Sequence, residues 1–167
     1  MTIPVSATAA RPHLAGPVER LVASMQAIPY WLVALIARVS IAGVFWQSGQ
    51  TKVDGFQLSE FAVELFRSEY RLPLIDPVLA AYLAAFAEHL FPILLVIGLA
   101  TRFSALALLA MTAVIQIFVY PDAWPTHGTW AACLLLLMTR GPGLLSLDRL
   151  IANRFGANSR AAERTPT

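Results

Sequence analysis

The sequence has little charge. Only 13% of its 167 residues are Asp, Glu, Lys or Arg, whereas 57% are hydrophobic. A soluble domain usually carries about 25% charged residues. Residues 29–48 contain one charged side chain, Arg38, and residues 103–121 contain none. Because a spanning helix takes roughly 17–25 mostly apolar residues, this composition excludes an ordinary soluble domain and predicts an integral membrane protein.

Lysine and cysteine are almost missing. Lys52 is the sole lysine and the net charge is only +2, so we expect no nucleic-acid partner. Cys133 is the single cysteine, which excludes an internal disulfide and a dithiol centre within one chain. His89 and His127 are expected at different depths, and no Cys/His cluster has zinc spacing. The sequence therefore predicts no metal site, neither haem nor zinc.

Four apolar segments predict four transmembrane helices between residues 29 and 140. They cover about residues 29–50, 77–98, 101–120 and 125–140. Only a short turn joins the second to the third, so these two are expected to be antiparallel. The fourth, at roughly 16 residues, is at the short limit for spanning. We predict an all-α fold, an integral membrane four-helix bundle.

Two shorter segments have an apolar face at helical spacing. Before the first span the apolar positions are Val18, Leu21, Val22 and Met25. Between the first two spans, residues 58–66 follow the same period. Both are predicted to be short amphipathic helices at the membrane interface. For the second, packing onto the bundle and covering it as a lid are both open interpretations.

The positions of the arginines predict the orientation. Basic residues concentrate in residues 1–28, in the 98–102 turn and in residues 140–167, whereas loop 120–126 has none. The positive-inside rule then makes both termini cytoplasmic tails, at 1–28 and 141–167. The expected location is a bacterial inner membrane, which the chain crosses as a multi-pass protein.

Two charged residues are expected deep in the bundle. Arg38 on the first span and Glu88 on the second each lie about 14–15 Å from the cytoplasmic end, at 1.5 Å per residue. Small residues surround both, which allows close helix packing. The sequence therefore predicts an intramembrane Arg38–Glu88 ion pair, either architectural or functional as a proton- or electron-linked site. Pro92 interrupts the helix after Glu88, so His89 is expected beside a polar notch.

A second polar group is expected at the outer ends of the spans. Its members are Gln47, Gln50, Lys52, Gln116, Tyr120, Trp124 and His127. Hydrogen-bond donors and aromatic rings at one level suit a pocket for a quinone head group or another small molecule. Ordinary anchoring at the membrane interface is the other open interpretation.

Three motifs, in this order and spacing, resemble those of the DoxX family of small four-helix bacterial membrane proteins. They are "RVSIAGVFWQSGQTKV", "AEHLFPILLVIGLATR" and "GPGLLSLD", all within residues 31–148. The resemblance implies a membrane oxidoreductase subunit, because named members are associated with thiosulfate:quinone oxidation or with thiol and oxidant defence. One branch lies near metal-handling peptide systems. Arg38, Lys52, Glu88 and the turn at 141–143 match motif positions of the family.

These observations lead to one main expectation and two alternatives. The main one is an inner-membrane subunit of an electron-transfer or redox and stress-defence complex, at most a membrane oxidoreductase subunit, that interacts with a quinone. Its expected partners are membrane lipids and other protein subunits. The first alternative is a non-enzymatic membrane anchor or assembly factor, for instance for a metal-handling system. The second is a small-solute or metal-linked transporter with Glu88 as its ion site.

Overall fold

The computed structural model describes residues 15–162, so residues 1–14 and 163–167 of the two expected tails lie outside the described part. In chain order the elements are α1 (Ala15–Gln26), α2 (Tyr30–Gln50), β1 (Val53–Asp54), β2 (Gln57–Leu58), α3 (Glu60–Leu65, continued by a π-helical turn Phe66–Tyr70), α4 (Pro77–Ile97), α5 (Thr101–Val114, continued by a π-helical turn Ile115–Val119), a 3-10 turn (Pro121–Ala123), α6 (Trp124–Arg140) and α7 (Leu147–Ala162).

Helices α2, α4, α5 and α6 form the bundle, each packed against two others in the cyclic order α2, α4, α5, α6. Among the described helices, α2, α4 and α5 with its π-helical turn are long and apolar enough to cross a membrane. Helix α6 has 17 residues, about 26 Å at 1.5 Å per residue, and packs against α5 and α2. The all-α membrane bundle predicted from the sequence is confirmed.

The core of the bundle is built from small and branched apolar side chains. Alanines 34, 37 and 42 on α2 and Ala105 on α5 are almost fully buried, which lets the helices approach closely. Leucines 95, 108 and 134 fill the space between them. A short side chain at each close contact fixes the distance between neighbouring helices.

The ends of α4 follow the local sequence. Asp76 caps its start by accepting the backbone N–H groups of Val78 and Leu79 at 3.0 and 3.1 Å, and Pro77 occupies the first helical position, where no donor is needed. Gly98 ends the helix in the left-handed conformation, φ +71°, which glycine adopts without strain.

The connection between α2 and α4 contains a β-hairpin that the sequence analysis missed. Strands β1 and β2 pair Val53 with Leu58 and Asp54 with Gln57, and Gly55 takes φ +63° in the two-residue turn. Helix α3 then begins after its cap Ser59, whose Oγ accepts the Ala62 N–H at 3.1 Å. The expected amphipathic helix at 58–66 is thus displaced toward the C-terminus.

Helix α3 and its π-helical turn lie on the first half of α4. Ala62 and Phe66 are buried there, and Phe66 packs against Ala80 and Ala81. The segment packs on the bundle and also covers that end of it. The two interpretations left open by the sequence, packing and covering, therefore describe the same arrangement. The arrangement leaves space between the π-helical turn, α2, α4 and α5.

Candidate functional site

A buried network of charge lies between α2 and α4. Lys52 Nζ is 2.7 Å from Glu88 Oε2, and the two residues are only 4% and 2% exposed. Ser48 Oγ donates to Glu88 Oε1 at 3.1 Å. Lys52 Nζ in turn donates to Ser48 Oγ at 3.0 Å and to the Ser48 carbonyl at 3.3 Å. Ser48 on α2 and Lys52 just after its end, four residues apart, therefore present a hydroxyl and an ammonium to one carboxylate.

The Lys52–Glu88 contact is a buried ion pair. At 2.7 Å the ammonium neutralises the charge on Oε2, and opposite charges so close together attract strongly in a place that water does not reach. Oε2 has a second lone pair, which no other described group uses.

Gly49 brings α2 and α4 together at this level. A Cβ atom at Gly49 would lie 2.9 Å from His89 Cε1 and 3.1 Å from the Glu88 carbonyl oxygen. Real Cβ contacts are rarely so short, so only a glycine permits this approach. The close packing explains how Ser48 and Lys52, on either side of Gly49, reach the Glu88 carboxylate.

The predicted Arg38–Glu88 ion pair is wrong. Arg38 instead donates to the backbone carbonyls of Pro142 at 3.1 Å and Leu145 at 2.8 Å. The prediction placed the cytoplasmic ends of both spans at one level, but Arg38 points to Gly98, where a Cβ would clash with its Nη1. Gly98 is ten residues from Glu88, about 15 Å along the helix.

The same end of the bundle contains a second set of polar contacts. Tyr30 Oη donates to the Gly141 carbonyl at 2.7 Å. Asp148 accepts the N–H groups of Ala100 at 2.7 Å and Thr101 at 2.9 Å, which caps the start of α5 from another segment. Together with Arg38, these bonds hold the "GPGLLSLD" segment against the turn between α4 and α5.

A cavity of about 430 Å³ opens beside the ion pair, between α2, the π-helical turn after α3, α4 and α5. Its polar residues are Ser48, Lys52, Glu88 and Tyr70, and its other walls are aliphatic and aromatic. Small-molecule sites typically have volumes of 300–1,000 Å³, mostly apolar walls and a few convergent polar groups. The cavity has this character.

His89 faces away from that cavity. Its Nδ1 lies 2.6 Å from the Ala85 carbonyl, which can only accept, so Nδ1 carries the proton. Nε2 then accepts from the Gln50 amide at 3.0 Å, and the ring packs edge-on against Trp46, 5.1 Å between centroids. His89 and Gln50 line a different cavity, of about 630 Å³, on the other side of α4.

The seven residues predicted to form one pocket are not brought together. Lys52 belongs to the ion pair and Gln50 to His89. Gln116 Oε1 is 2.7 Å from His127 Nδ1, and the Gln116 amide donates to the Pro121 carbonyl. Tyr120 donates to Glu69. Gln47 and Trp124 are exposed.

Two tyrosines connect the cavity to the end of the bundle where α6 begins. Tyr70 lines the cavity, and its ring packs edge-on against that of Tyr120, 5.9 Å between centroids. Burial raises the pKa of Tyr70. The hydrogen bond to Glu69 raises the pKa of Tyr120. Both phenols therefore remain neutral donors at ordinary pH.

Comparison with known proteins places the chain in a family. The DoxX family model matches residues 33–121, which include Lys52 and Glu88. The chain belongs to the DoxX family. This DoxX protein is also similar to an uncharacterized protein of Haemophilus influenzae, with 32% identity over 143 residues that cover 81% of this chain and 93% of that one. No solved structure matches it.

In this DoxX protein the motif residues form two separate clusters. Arg38 and the turn at 141–143 lie at one end of the bundle, while Lys52 and Glu88 pair about halfway along α4. Ser48, which completes the pair, was not singled out as a site residue in the sequence. Its four-residue spacing from Lys52 is the pattern that would have indicated it. Among the described residues no group of three or more His, Cys, Asp or Glu side chains could hold a metal ion.

Proposed function

We propose that this multi-pass DoxX protein is the quinone-binding membrane subunit of a redox or stress-defence complex. One observation carries the proposal. The Lys52–Glu88 pair, with Ser48, forms the polar end of a mostly apolar cavity of about 430 Å³. A quinone has the matching polarity, because its head has two carbonyl oxygens and its tail is a hydrocarbon.

The residues in the cavity fit such a head group. Lys52 already donates to Ser48 and faces Glu88, so its ammonium would attract a carbonyl oxygen by its charge. Glu88 Oε2, whose one close polar partner among the described residues is Lys52, can accept a hydrogen bond from a hydroxyl group. Leu83 and Phe86 of α4, in the lining of the cavity, are more than half exposed. A hydrocarbon tail would leave the cavity sideways past them, into the lipid.

The chain's own part is binding, orientation and proton exchange. A bound quinone supplies two-electron, two-proton carrier chemistry. Lys52 favours negative charge on the head group, and Glu88 takes or gives a proton at Oε2. The sequence has one cysteine and thus no dithiol, so the electrons are assigned to a redox group on a partner subunit.

The test is to fill the cavity without touching the charges. Ala87 lines the cavity, so Ala87→Leu places three more carbon atoms in the space for the head group. Ala110 is exposed on α5 and lines none of the cavities described above, which makes Ala110→Leu the matched control. We expect quinone per purified protein to fall severalfold in Ala87→Leu and to stay at the wild-type value in Ala110→Leu.

A specific observation favours a second candidate function, that of a membrane anchor or assembly factor. Most of the polar residues predicted to bind a ligand already bond other side chains of this chain, as Gln116 does with His127 and Gln50 with His89. If the protein is an anchor, wild-type protein extracted in mild detergent should contain no quinone. Partner subunits should then co-purify equally with wild type and with Ala87→Leu. That pair of results would refute the quinone site and leave the anchor.

We further propose the inner-membrane topology that the arginines indicate, with both termini cytoplasmic. The hairpin β1–β2 and α3 then lie on the outer side, with the Glu69–Tyr120 bond, and the "GPGLLSLD" segment lies on the cytoplasmic side. Reporter fusions after residues 60 and 123 should report the periplasm and a fusion after residue 155 the cytoplasm. A periplasmic C-terminus would refute this topology.

A further inference from the structure

The end of the bundle that holds the "GPGLLSLD" segment has a cavity of its own. Its volume is about 560 Å³. Arg102 from the start of α5, Arg140 from the end of α6 and Arg149 from the start of α7 line it. We infer that this cavity binds the phosphate group of an anionic phospholipid.

The charges of the cavity are unbalanced. None of the three arginines is in a salt bridge within residues 15–162, where the single ion pair is Lys52–Glu88. Asp148 is the one acid in the lining, and both of its carboxylate oxygens already accept backbone N–H groups. Three positive charges against one negative leave a surplus of two that a phosphate group would neutralise.

The geometry favours a group with several acceptor oxygens. Arg102 lies over Gly141, where a Cβ would be 3.4 Å from its Nε and Nη2. Gly141 has φ +84°, a conformation that side chains rarely adopt, so the guanidinium rests on bare backbone. Three helices each contribute a guanidinium side chain to the lining, and arginine forks match phosphate oxygens well.

The surroundings indicate that the phosphate belongs to a lipid. The cavity lies where α2 begins and α6 ends, which is the level at which spanning helices reach the head groups. Tyr30 and Trp31 line it, and such aromatic residues are enriched at membrane interfaces. Leu144, also in the lining, and Leu150 on α7 are mostly exposed, and acyl chains would cover them. Basic pockets beside spanning helices bind anionic head groups in other membrane proteins.

The test compares lipids on the purified protein in an uncharged detergent. Phosphatidylglycerol and phosphatidylcholine with identical chains are titrated separately, and bound lipid is counted by native mass spectrometry. We expect wild type to retain phosphatidylglycerol preferentially. Arg102→Gln and Arg140→Gln should each weaken its binding about fivefold, which corresponds to about 1 kcal/mol per arginine. Arg67→Gln, at the opposite end of the bundle, is the matched control and should bind as wild type does.

Three results would overturn the inference. Equal retention of the two lipids by wild type would remove the preference for an anion, and this result does not depend on whether any variant folds. An equal loss in Arg67→Gln would show only a general effect of net charge. If inorganic phosphate at constant ionic strength displaced phosphatidylglycerol and bound as well alone, the site would be one for a free anion. The quinone proposal is independent of all three.

Discussion

Removing one charge of the Lys52–Glu88 pair should destabilise the protein much more than removing both. The single substitutions Lys52→Met and Glu88→Leu each leave an uncompensated charge in a place that is at most 4% exposed. Breaking a buried pair in this way costs about 3–5 kcal/mol of unfolding free energy. The double substitution leaves two apolar side chains and no unpaired charge, so it should lie within about 1–2 kcal/mol of wild type.

The distance supports a large coupling between the two charges. At the observed 2.7 Å, opposite unit charges attract by about 6 kcal/mol at an effective dielectric constant of 20. Part of this attraction offsets the desolvation of both groups, so we expect a coupling free energy of at least about 3 kcal/mol. Each substitution also removes a hydrogen bond to Ser48. Because these losses occur in the single variants and again in the double variant, they cancel in the coupling free energy.

The assay is equilibrium unfolding in mixed micelles of a mild and a denaturing detergent, followed by circular dichroism. A second cycle with Arg38→Met and Glu88→Leu serves as the control. Arg38 bonds backbone carbonyls about 15 Å away from Glu88 along the helix, and residues so far apart usually give additive effects. Additive losses for Lys52 and Glu88, or strong coupling between Arg38 and Glu88, would refute the assignment of partners.

Three further substitutions test other contacts. Gly49→Ala places a Cβ 2.9 Å from a histidine ring on α4, so the same unfolding assay should show a loss of about 1–3 kcal/mol; Gly43→Ala, with open space around it, should show none. Asp148→Asn weakens two charge-assisted bonds to the start of α5 and should lose about 1.5–3 kcal/mol. Because Glu69 raises the pKa of Tyr120, its phenol is still neutral at about pH 11, so Tyr120→Phe should not change the tyrosinate absorbance measured there. The neutral phenol contributes its full stability below about pH 10, and this contribution falls as the pH rises further.

The four helices of the bundle follow directly from the sequence. Long uncharged runs have one physical solution in a bilayer, because only a helix satisfies its backbone within a single segment. Local signals also placed their ends well, as Pro77 and Gly98 show for α4. The hairpin at residues 53–58 was harder to see. Its strands have two residues each, too short for a visible period, and only the Asp54–Gly55 pair indicated the turn.

The candidate site could be predicted only in part, because the sequence does not show how far one helix is shifted along its axis relative to the next. The prediction recognised Glu88 as a buried carboxylate that needs a cation, but it took the nearest cation on a span, Arg38. The true partner, Lys52, lies just after α2 ends and folds back along it. Packing at Gly49 sets the relative height of α2 and α4, and at that height Arg38 lies beside Gly98, ten residues along α4 from Glu88.

Arg38 and Lys52, the two cations of the family motif, therefore differ in whether their surroundings leave room for a ligand. Arg38 bonds carbonyls that no other described donor occupies, and it holds one segment against another. Lys52 and Glu88 also bind each other, but they do so at the wall of a cavity, and one carboxylate oxygen keeps an unused acceptor site. A purely structural pair is better placed among packed side chains, where no space for a ligand has to be kept. The space beside Glu88 is therefore the reason to look for the ligand of this DoxX protein there and not at Arg38.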